Sequence, residues 1–275
     1  MENLSPQGHP KAQPSAWPIA DFEDEIEVQP DWESDSFGYY ALNDDGTYTI
    51  MACILDDIPC MEVPAGFRGR AITGVGPQAF FYLHNVEQIR FPSTIETLSG
   101  SVFDNCDHLR AVFLPSSIRE VKEPLVKHTL PESPRLVYFC SSGEDEIKER
   151  GWCEDWQGVC DWTTCTGASF LDNPGYRGWV QIGGIWLYFE DGFTKFGWQM
   201  IMGQWYYFQD DASAATGWIS STGDGNTYYF DETDCFMVTG WREIGGDWYY
   251  FDMENGRMLK DTVTPDGYYV DGNGI

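Results

Sequence analysis

The sequence predicts a mainly β protein made of two consecutive arrays of stacked repeats, two short solenoids, behind a disordered acidic lead-in. Three observations carry this prediction. From Gly178 onward a Gly-Trp pair followed by an aromatic run recurs about every 20 residues. Earlier in the chain, a different apolar pattern recurs every 23 residues, as in Ile72, Ile95 and Ile118. The first 36 residues carry nine acidic side chains and five prolines against Lys11 alone. Fixed periods of this size mark units that bury their faces only against neighbours, not one globular core.

The lead-in, residues 1–36, has too little apolar surface to offset the entropy of ordering, so it is expected to be disordered. It lacks a positively charged start followed by an apolar segment, so no secretory signal is read in it.

Residues 37–165 form the first domain. Tyr39 to Leu42 and Tyr48 to Ile54 alternate around Asn43-Asp44-Asp45-Gly46, a hairpin pattern. The repeat follows: Ala79-Phe80 matches Val102-Phe103, and Ile89-Arg90-Phe91-Pro92 matches Val112-Phe113-Leu114-Pro115. Pro92 and Pro115 are placed to end strands, because proline cannot donate to the ladder. Leu136 to Phe139 reads as one more strand, followed by a short polar helix near Asp145 to Arg150. Trp152 and Trp156 share a helical face and are read as a packing patch between the two domains. The segment 166–177, with Gly167, Pro174 and Gly175, reads as a linker.

The run from Ser101 to Pro115 resembles the BspA-type leucine-rich repeat, and the resemblance is strong over about 63–125. It implies a short coil whose apolar residues point inward and whose turns each add one strand to a parallel sheet. Such coils often serve as adhesive or spacer surfaces, which implies a host or bacterial surface protein as partner.

Residues 178–275 form the second domain. Gly178-Trp179, Gly197-Trp198, Gly217-Trp218 and Gly240-Trp241 each precede an aromatic run, of which Trp205-Tyr206-Tyr207-Phe208 and Trp248-Tyr249-Tyr250-Phe251 are the fullest. Alternation makes each run a strand, and Gly183-Gly184 and Gly245-Gly246 supply the positive φ of a two-residue turn. Each unit is thus a hairpin, and a lone hairpin is marginal in water, so hairpins must stack. Phe189, Phe208, Phe230 and Phe251 are expected on the buried side. The other side carries Trp179, Trp186 and Tyr188, then Trp198, Trp205 and Tyr207, and later Trp241, Trp248 and Tyr250.

This pattern, together with Phe236 to Trp241 and Gly256-Arg257-Met258, resembles the choline-binding or cell-wall-binding repeat of bacterial surface proteins. The resemblance implies a β-hairpin solenoid with ligands caged between adjacent units. Carried over by position, Trp179, Trp186, Tyr188 and Trp198 form one cage, and Trp198, Trp205, Tyr207 and Trp218 the next. Trp241, Trp248 and Tyr250 are the matching set in the fourth unit. The third unit has Thr227 where its neighbours have Trp, and its turn is lengthened by Asp224-Gly225-Asn226, so its site is expected to be weaker. The last fragment, Gly267 to Val270, has no Trp and reads as a terminal cap.

Three uses of these aromatics remain open. They are cation–π cages for choline on a wall polymer such as teichoic acid, stacking platforms for a glucan or other glycan, and purely structural glue. The family resemblance implies an extracellular, wall-associated protein. That conflicts with the missing signal unless the chain is processed, uses another export route, or acts after lysis.

Composition narrows the partners further. Sixteen basic against 44 acidic residues give a formal charge of −28, which repels nucleic-acid phosphates and anionic lipid. No apolar run approaches a membrane span, so no membrane insertion is expected. No cofactor-binding loop is visible. The eight cysteines show no zinc spacing, and disulfides among Cys140, Cys153, Cys160 and Cys165 or buried free thiols both remain possible. Of the four histidines, at positions 9, 84, 108 and 128, His108 beside Cys106 and His128 with Cys140 are the only conceivable nucleophile pairs. Cys106 occupies a packing position, and most carboxylates sit in turns, so neither metal nor catalytic residues are assigned and no enzyme is expected. The alternative is the binding fragment of a larger wall-modifying enzyme.

Overall fold

A computed structural model describes residues 31–128, 136–158, 160–165, 173, 175–221 and 225–275, with backbone alone for 161–164. Residues 1–30 of the expected lead-in, His9 included, lie outside it. So do residues 166–172 and 174 of the expected linker and Asp224 of the third turn. The described part is mainly β, and its one described α-helix spans Glu144–Arg150.

The lead-in gives way to structure earlier than expected. Glu33–Ser34 pairs antiparallel with Gly38–Leu42, setting Glu33 opposite Tyr40. Asp35 holds the turn, its Oδ1 accepting from the amides of Phe37 (2.8 Å) and Gly38 (3.2 Å) and from the Tyr40 hydroxyl. The predicted hairpin follows as Gly38–Leu42 against Tyr48–Cys53, turning at Gly46 with φ of 83°.

From that hairpin the chain winds into a coil with two parallel sheets, where the repeat resemblance implied one. Tyr48–Cys53, Arg70–Val75, Thr97–Leu98 and Glu120–Val121 line up in the first sheet. Gly74, Thr97 and Glu120 stand in register, so each 23-residue step is one turn. The second sheet runs Cys60–Glu62, Gln88–Arg90, Ala111–Leu114, Val137–Cys140 and Asp161–Thr164. Between the sheets lie Ile72, Phe80, Ile89, Ile95, Phe103, Val112 and Ile118, all essentially buried. Their even spacing in the sequence is the inward side of successive turns.

The tryptophans after the helix do not form the expected patch between domains. Trp152 and Trp156 are buried within the coil's own core. Their rings meet edge to face at 5.1 Å, and Trp156 lies 5.4 Å from Tyr138. Backbone bonds from Leu125 to Trp156 (2.8 Å) and from Cys153 to Val121 (2.9 Å) close the last turn. The tryptophans are therefore the end cap that a short solenoid needs.

The domains meet elsewhere. The outward residues of the second sheet, Ala111, Phe113, Val137 and Phe139, form one core with Leu187 and Phe189 of the first aromatic hairpin. Both faces of this sheet are therefore dry, which accounts for the unbroken apolar runs Ala111 to Leu114 and Val137 to Cys140. Buried Gln88 and Thr194 lock the seam. The Gln88 amide donates to the Thr194 carbonyl (2.9 Å), and its oxygen accepts from the Thr194 amide (3.1 Å) and hydroxyl (3.0 Å). Arg90 donates to the Gly192 carbonyl and lies 4.6 Å from the centroid of Phe113. At the rim Arg110 covers Phe196 and pairs with Asp210 at 2.7 Å.

Beyond the seam come the hairpins Gly178–Ile182/Ile185–Glu190, Gly197–Ile201/Gln204–Phe208, Gly217–Ser220/Thr227–Phe230 and Gly240–Ile244/Asp247–Phe251. A short Thr262–Val263/Tyr269–Val270 pair ends the chain, at the place read as a cap. Gly183-Gly184 and Gly245-Gly246 take the positive φ expected of their turns. The segment after each hairpin stitches it to the one before. Ala214 donates to the Trp186 carbonyl (2.7 Å), Met237 to that of Trp205 (2.7 Å) and Met258 to that of Thr227 (2.8 Å). Phe189, Phe208, Phe230 and Phe251 are buried, as alternation predicts.

Candidate functional site

Strand pairing sets the aromatic side chains in rows. Trp179 stands opposite Tyr188, Trp198 opposite Tyr207, and Trp241 opposite Tyr250. One register step away, Trp186 and Trp205 lie on the same face as these pairs, because side chains alternate with a period of two. The two indoles of a hairpin meet nearly at right angles. Trp179 and Trp186 have centroids 6.4 Å apart at 88°, and Trp198 and Trp205 6.4 Å apart at 83°. Each pair makes two walls of a corner.

A third ring comes from the next hairpin. Carry-over by position put Trp198 in one cage with Trp179 and Trp186, and Trp218 in the next with Trp198 and Trp205. Among the described residues no ring contact joins Trp198 to Trp179 or Trp218 to Trp198. The next hairpin brings its first tyrosine into contact: Tyr206 lies 4.8 Å from Trp179, Tyr228 4.9 Å from Trp198, and Tyr249 4.9 Å from Trp218. Tyr268 stands 5.8 Å from Trp241 in the same role. Alternation puts these tyrosines on the same side as the buried phenylalanines, so the sequence reading left them out. Their signal was repetition at a fixed place, one residue after Trp205, Thr227, Trp248 and Gly267.

The geometry shows why both faces of a hairpin matter. The Tyr206/Phe208 face looks back at Trp179, with Phe208 at 5.7 Å, while the Trp198/Trp205/Tyr207 face looks forward to Tyr228 and Phe230. In the first hairpin the backward position is Leu187, fully buried against the coil. Among the described residues no hairpin of the array precedes it, and an aliphatic side chain stands at the tyrosine's place.

Exposure separates walls from floor. Trp198, Trp205, Trp218 and Trp248 are 39, 38, 41 and 53 % exposed. Tyr188 and Tyr250 are buried and support the first tryptophan of their hairpins from behind, at 5.2 Å in each case. Tyr207 does the same for Trp198 at 5.2 Å. The third corner has Trp218 and Tyr249 but only Thr227 where the second indole stands elsewhere. The fourth has Trp241 and Tyr268, with Trp248 further out.

Electrostatics around the corners are acidic. Asp231 accepts from the amides of Thr233 and Asp234, and these bonds, with Arg242 beside it at 2.5 Å, hold its carboxyl below the usual range. Burial pushes the Tyr206 phenol up, aided by Cys235 and Asp234 nearby. An open groove of about 360 Å³ runs past Asp231, Glu232, Arg242 and Glu243. It is polar, and its lining includes Tyr229, whose ring packs against Trp218 at 5.0 Å.

All eight cysteines are free thiols. Burial pushes Cys106 up to about 12 and Cys140 up to about 11, the opposite of what a reactive thiolate needs. His108 and His84 both approach Asp107, at 3.3 and 2.9 Å, and His128 pairs with Asp104 at 3.0 Å. Among the described residues no group of three or more His, Cys, Asp or Glu side chains is placed to hold a metal ion. No described helix is long and apolar enough to cross a membrane.

Comparison with known proteins matches these two halves separately. The family described as Choline-binding repeat matches residues 195–234 and 238–273. The family described as BspA type Leucine rich repeat region (6 copies) matches residues 69–130. Among solved structures, CbpJ from Streptococcus pneumoniae TIGR4 is 37% identical over 36% of this chain and 33% of its own, with a TM-score of 0.34. Choline binding protein F from Streptococcus pneumoniae, solved in the presence of a peptidoglycan analogue (tetrasaccharide-pentapeptide), is 35% identical over 36% of this chain and 32% of its own, with a TM-score of 0.33. The choline binding domain of Spr1274 in Streptococcus pneumoniae is 36% identical over 29% of this chain and 92% of that domain, with a TM-score of 0.26. This chain thus spans about a third of the first two relatives. Curated protein sequences give no match.

Proposed function

We propose, from the premise that this chain joins BspA-type leucine-rich repeats to choline-binding repeats, that it is a non-enzymatic anchor on bacterial wall polymer. The aromatic corners grip choline groups of a polymer such as teichoic acid, and the coil is held outward for contact with a surface protein. The observation that carries this reading is the recurrence of the Trp-Trp-Tyr corner in Trp179/Trp186/Tyr206 and Trp198/Trp205/Tyr228, continued along the row by the Trp-Tyr pairs Trp218/Tyr249 and Trp241/Tyr268.

The energetics fit a repeated weak site. A cation over an aromatic face gains about 0.5–2 kcal/mol, so three faces give roughly 2–5 kcal/mol, against about 4.1 kcal/mol for a Kd of 1 mM. Grip therefore comes from repetition, since linking sites on one polymer gains on the order of 10²–10⁴ in avidity. The chain's charge of −28 favours a cationic group over an anionic one. The seam to the array covers one face of the coil. The outward partner is therefore assigned to the opposite sheet, where Thr49, Thr73 and Thr97 are half-buried and Glu120 is exposed.

Retention on choline-substituted resin, with elution by free choline, tests the anchor. Trp198→Ala, which removes a wall of the second corner, is expected to weaken retention by at least about tenfold, one site's share of the linked gain. Retention on dextran and not on choline would replace this reading with glycan stacking. Binding unchanged by Trp198→Ala would make the rings structural glue.

A further inference from the structure

One contact sets the fourth corner apart. The Trp241 indole N–H donates to Asp266 Oδ2 at 2.8 Å, and Asp266 Oδ1 accepts the Thr264 hydroxyl at 2.6 Å. Among the described residues no side chain accepts from the indole N–H of Trp179, Trp198 or Trp218. Asp266 lies two positions before the wall tyrosine Tyr268. At that place the first two corners have the neutral Gln204 and Asn226, before Tyr206 and Tyr228, and the third has Asp247, before Tyr249. Among the described residues Asp247 accepts no bond from Trp218.

The same corner is the most open. Trp248 is 53 % and Tyr268 63 % exposed, and Gly267 leaves no indole on the terminal hairpin. Its rings alone would hold any guest less well than those of the second corner. Asp266 changes this for one class of guest. Its hydrogen bonds from Thr264 and Trp241 hold its carboxyl below the usual range, so it is charged at neutral pH. A carboxylate at the rim attracts a cation resting on the indole. An anion accepting the indole N–H also pushes electron density into the ring, and the negative ring face is what draws the cation. A neutral sugar gains from neither effect.

Building on the reading of the corners as ammonium sites, we propose that Asp266 is a specificity-determining residue. It makes the fourth corner the charge-selecting site of the array, taking an organic ammonium group and discriminating against a neutral guest of the same shape.

The test uses the full chain and two probes, choline and its uncharged carbon isostere 3,3-dimethylbutan-1-ol. Binding is followed at the indole N–H resonances, that of Trp241 being assigned by its loss in Trp241→Phe and that of Trp198 by its loss in Trp198→Phe. In the unaltered protein the preference for choline over the isostere is expected to be about fivefold larger at Trp241 than at Trp198, and to shrink as salt is raised. Asp266→Asn should bring the Trp241 preference down to that of Trp198, without weakening isostere binding. Equal preferences at the two indoles of the unaltered protein overturn the proposal, with no variant needed. So does a preference that survives Asp266→Asn. If choline moves none of the protein's indole resonances, the anchor reading itself fails, a result distinct from choline binding without selectivity at Trp241.

Discussion

The coil and the hairpin array are both repeats, yet they hide their apolar side chains in different places. Each turn of the coil encloses Phe80, Phe103 or Ile89 between two sheets, so its core lies inside the unit. A hairpin has no inside. Phe208 and Phe230 are buried only because the neighbouring hairpin covers them, and Trp179 and Trp198 do the covering at 5.7 and 5.6 Å. A core placed between units leaves an edge at every joint, and at these edges Trp198, Trp205 and Trp218 stay partly exposed. The coil encloses its core within each turn, and among its described large apolar side chains Leu42 alone is strongly exposed. The contrast accounts for candidate ligand sites recurring in one half of the chain and not in the other.

The largest effect should follow from truncating one ring in each half. Phe80→Ala is expected to cost about 3–5 kcal/mol. Hydrogen exchange should show protection lost across the coil, from Tyr48–Cys53 to Val137–Cys140, and a loss confined to one turn would argue against a shared core. Phe208→Ala removes the same ring from the array. Its cost, about 3 kcal/mol, should fall on its own hairpin and on the Trp179 and Tyr228 sides, leaving the coil intact.

The next expectation concerns the seam. Gln88→Ala leaves the buried Thr194 amide and hydroxyl without their partner, a loss of about 1–3 kcal/mol. Calorimetry should then separate coil and array into two transitions where the intact seam couples them. A single unshifted transition would mean that the rest of the seam, Phe113 on Phe189 together with the Arg90 and Arg110 contacts, suffices.

The smallest effect is acid sensitivity. The Asp231 carboxyl sits below its ordinary value of 3.8, through the amides of Thr233 and Asp234 and then Arg242. A lowered folded pKa adds stability that is present above the ordinary value and lost as pH falls through the lowered one. Lowering pH from about 5 to about 3 should therefore loosen the Asp231–Cys235 loop before the coil interior, which holds few charges. Amide shifts of Thr233 and Asp234 report it, and shifts that ignore pH over that window would remove the assignment.

Much of this was legible in single residues. The spacing of Ile72, Ile95 and Ile118 is the coil's turn, and the place of Phe189, Phe208, Phe230 and Phe251 is the array's buried row. Other features were not. Trp152 and Trp156 read equally well as an interdomain patch, because helical spacing says that two rings share a face and nothing about what meets it. Tyr206, Tyr228, Tyr249 and Tyr268 were passed over for the same reason: alternation assigned them to the buried side, and only stacking turned that side toward the preceding tryptophan. Leu187 is the complementary case, an aliphatic side chain at the tyrosine's place, covered by the coil.

Repeat lengths, strand faces, turn positions and the aromatic inventory are written along the chain, since they depend on local periodicity and on where glycine must take positive φ. Tertiary structure alone decided which ring faces which, that Gln88 and Arg90 seal the coil to the first hairpin, and that Asp266 reaches Trp241. Those contacts link residues 25 to 106 positions apart. At such separations the angle between packed units, which no local pattern encodes, sets the distance.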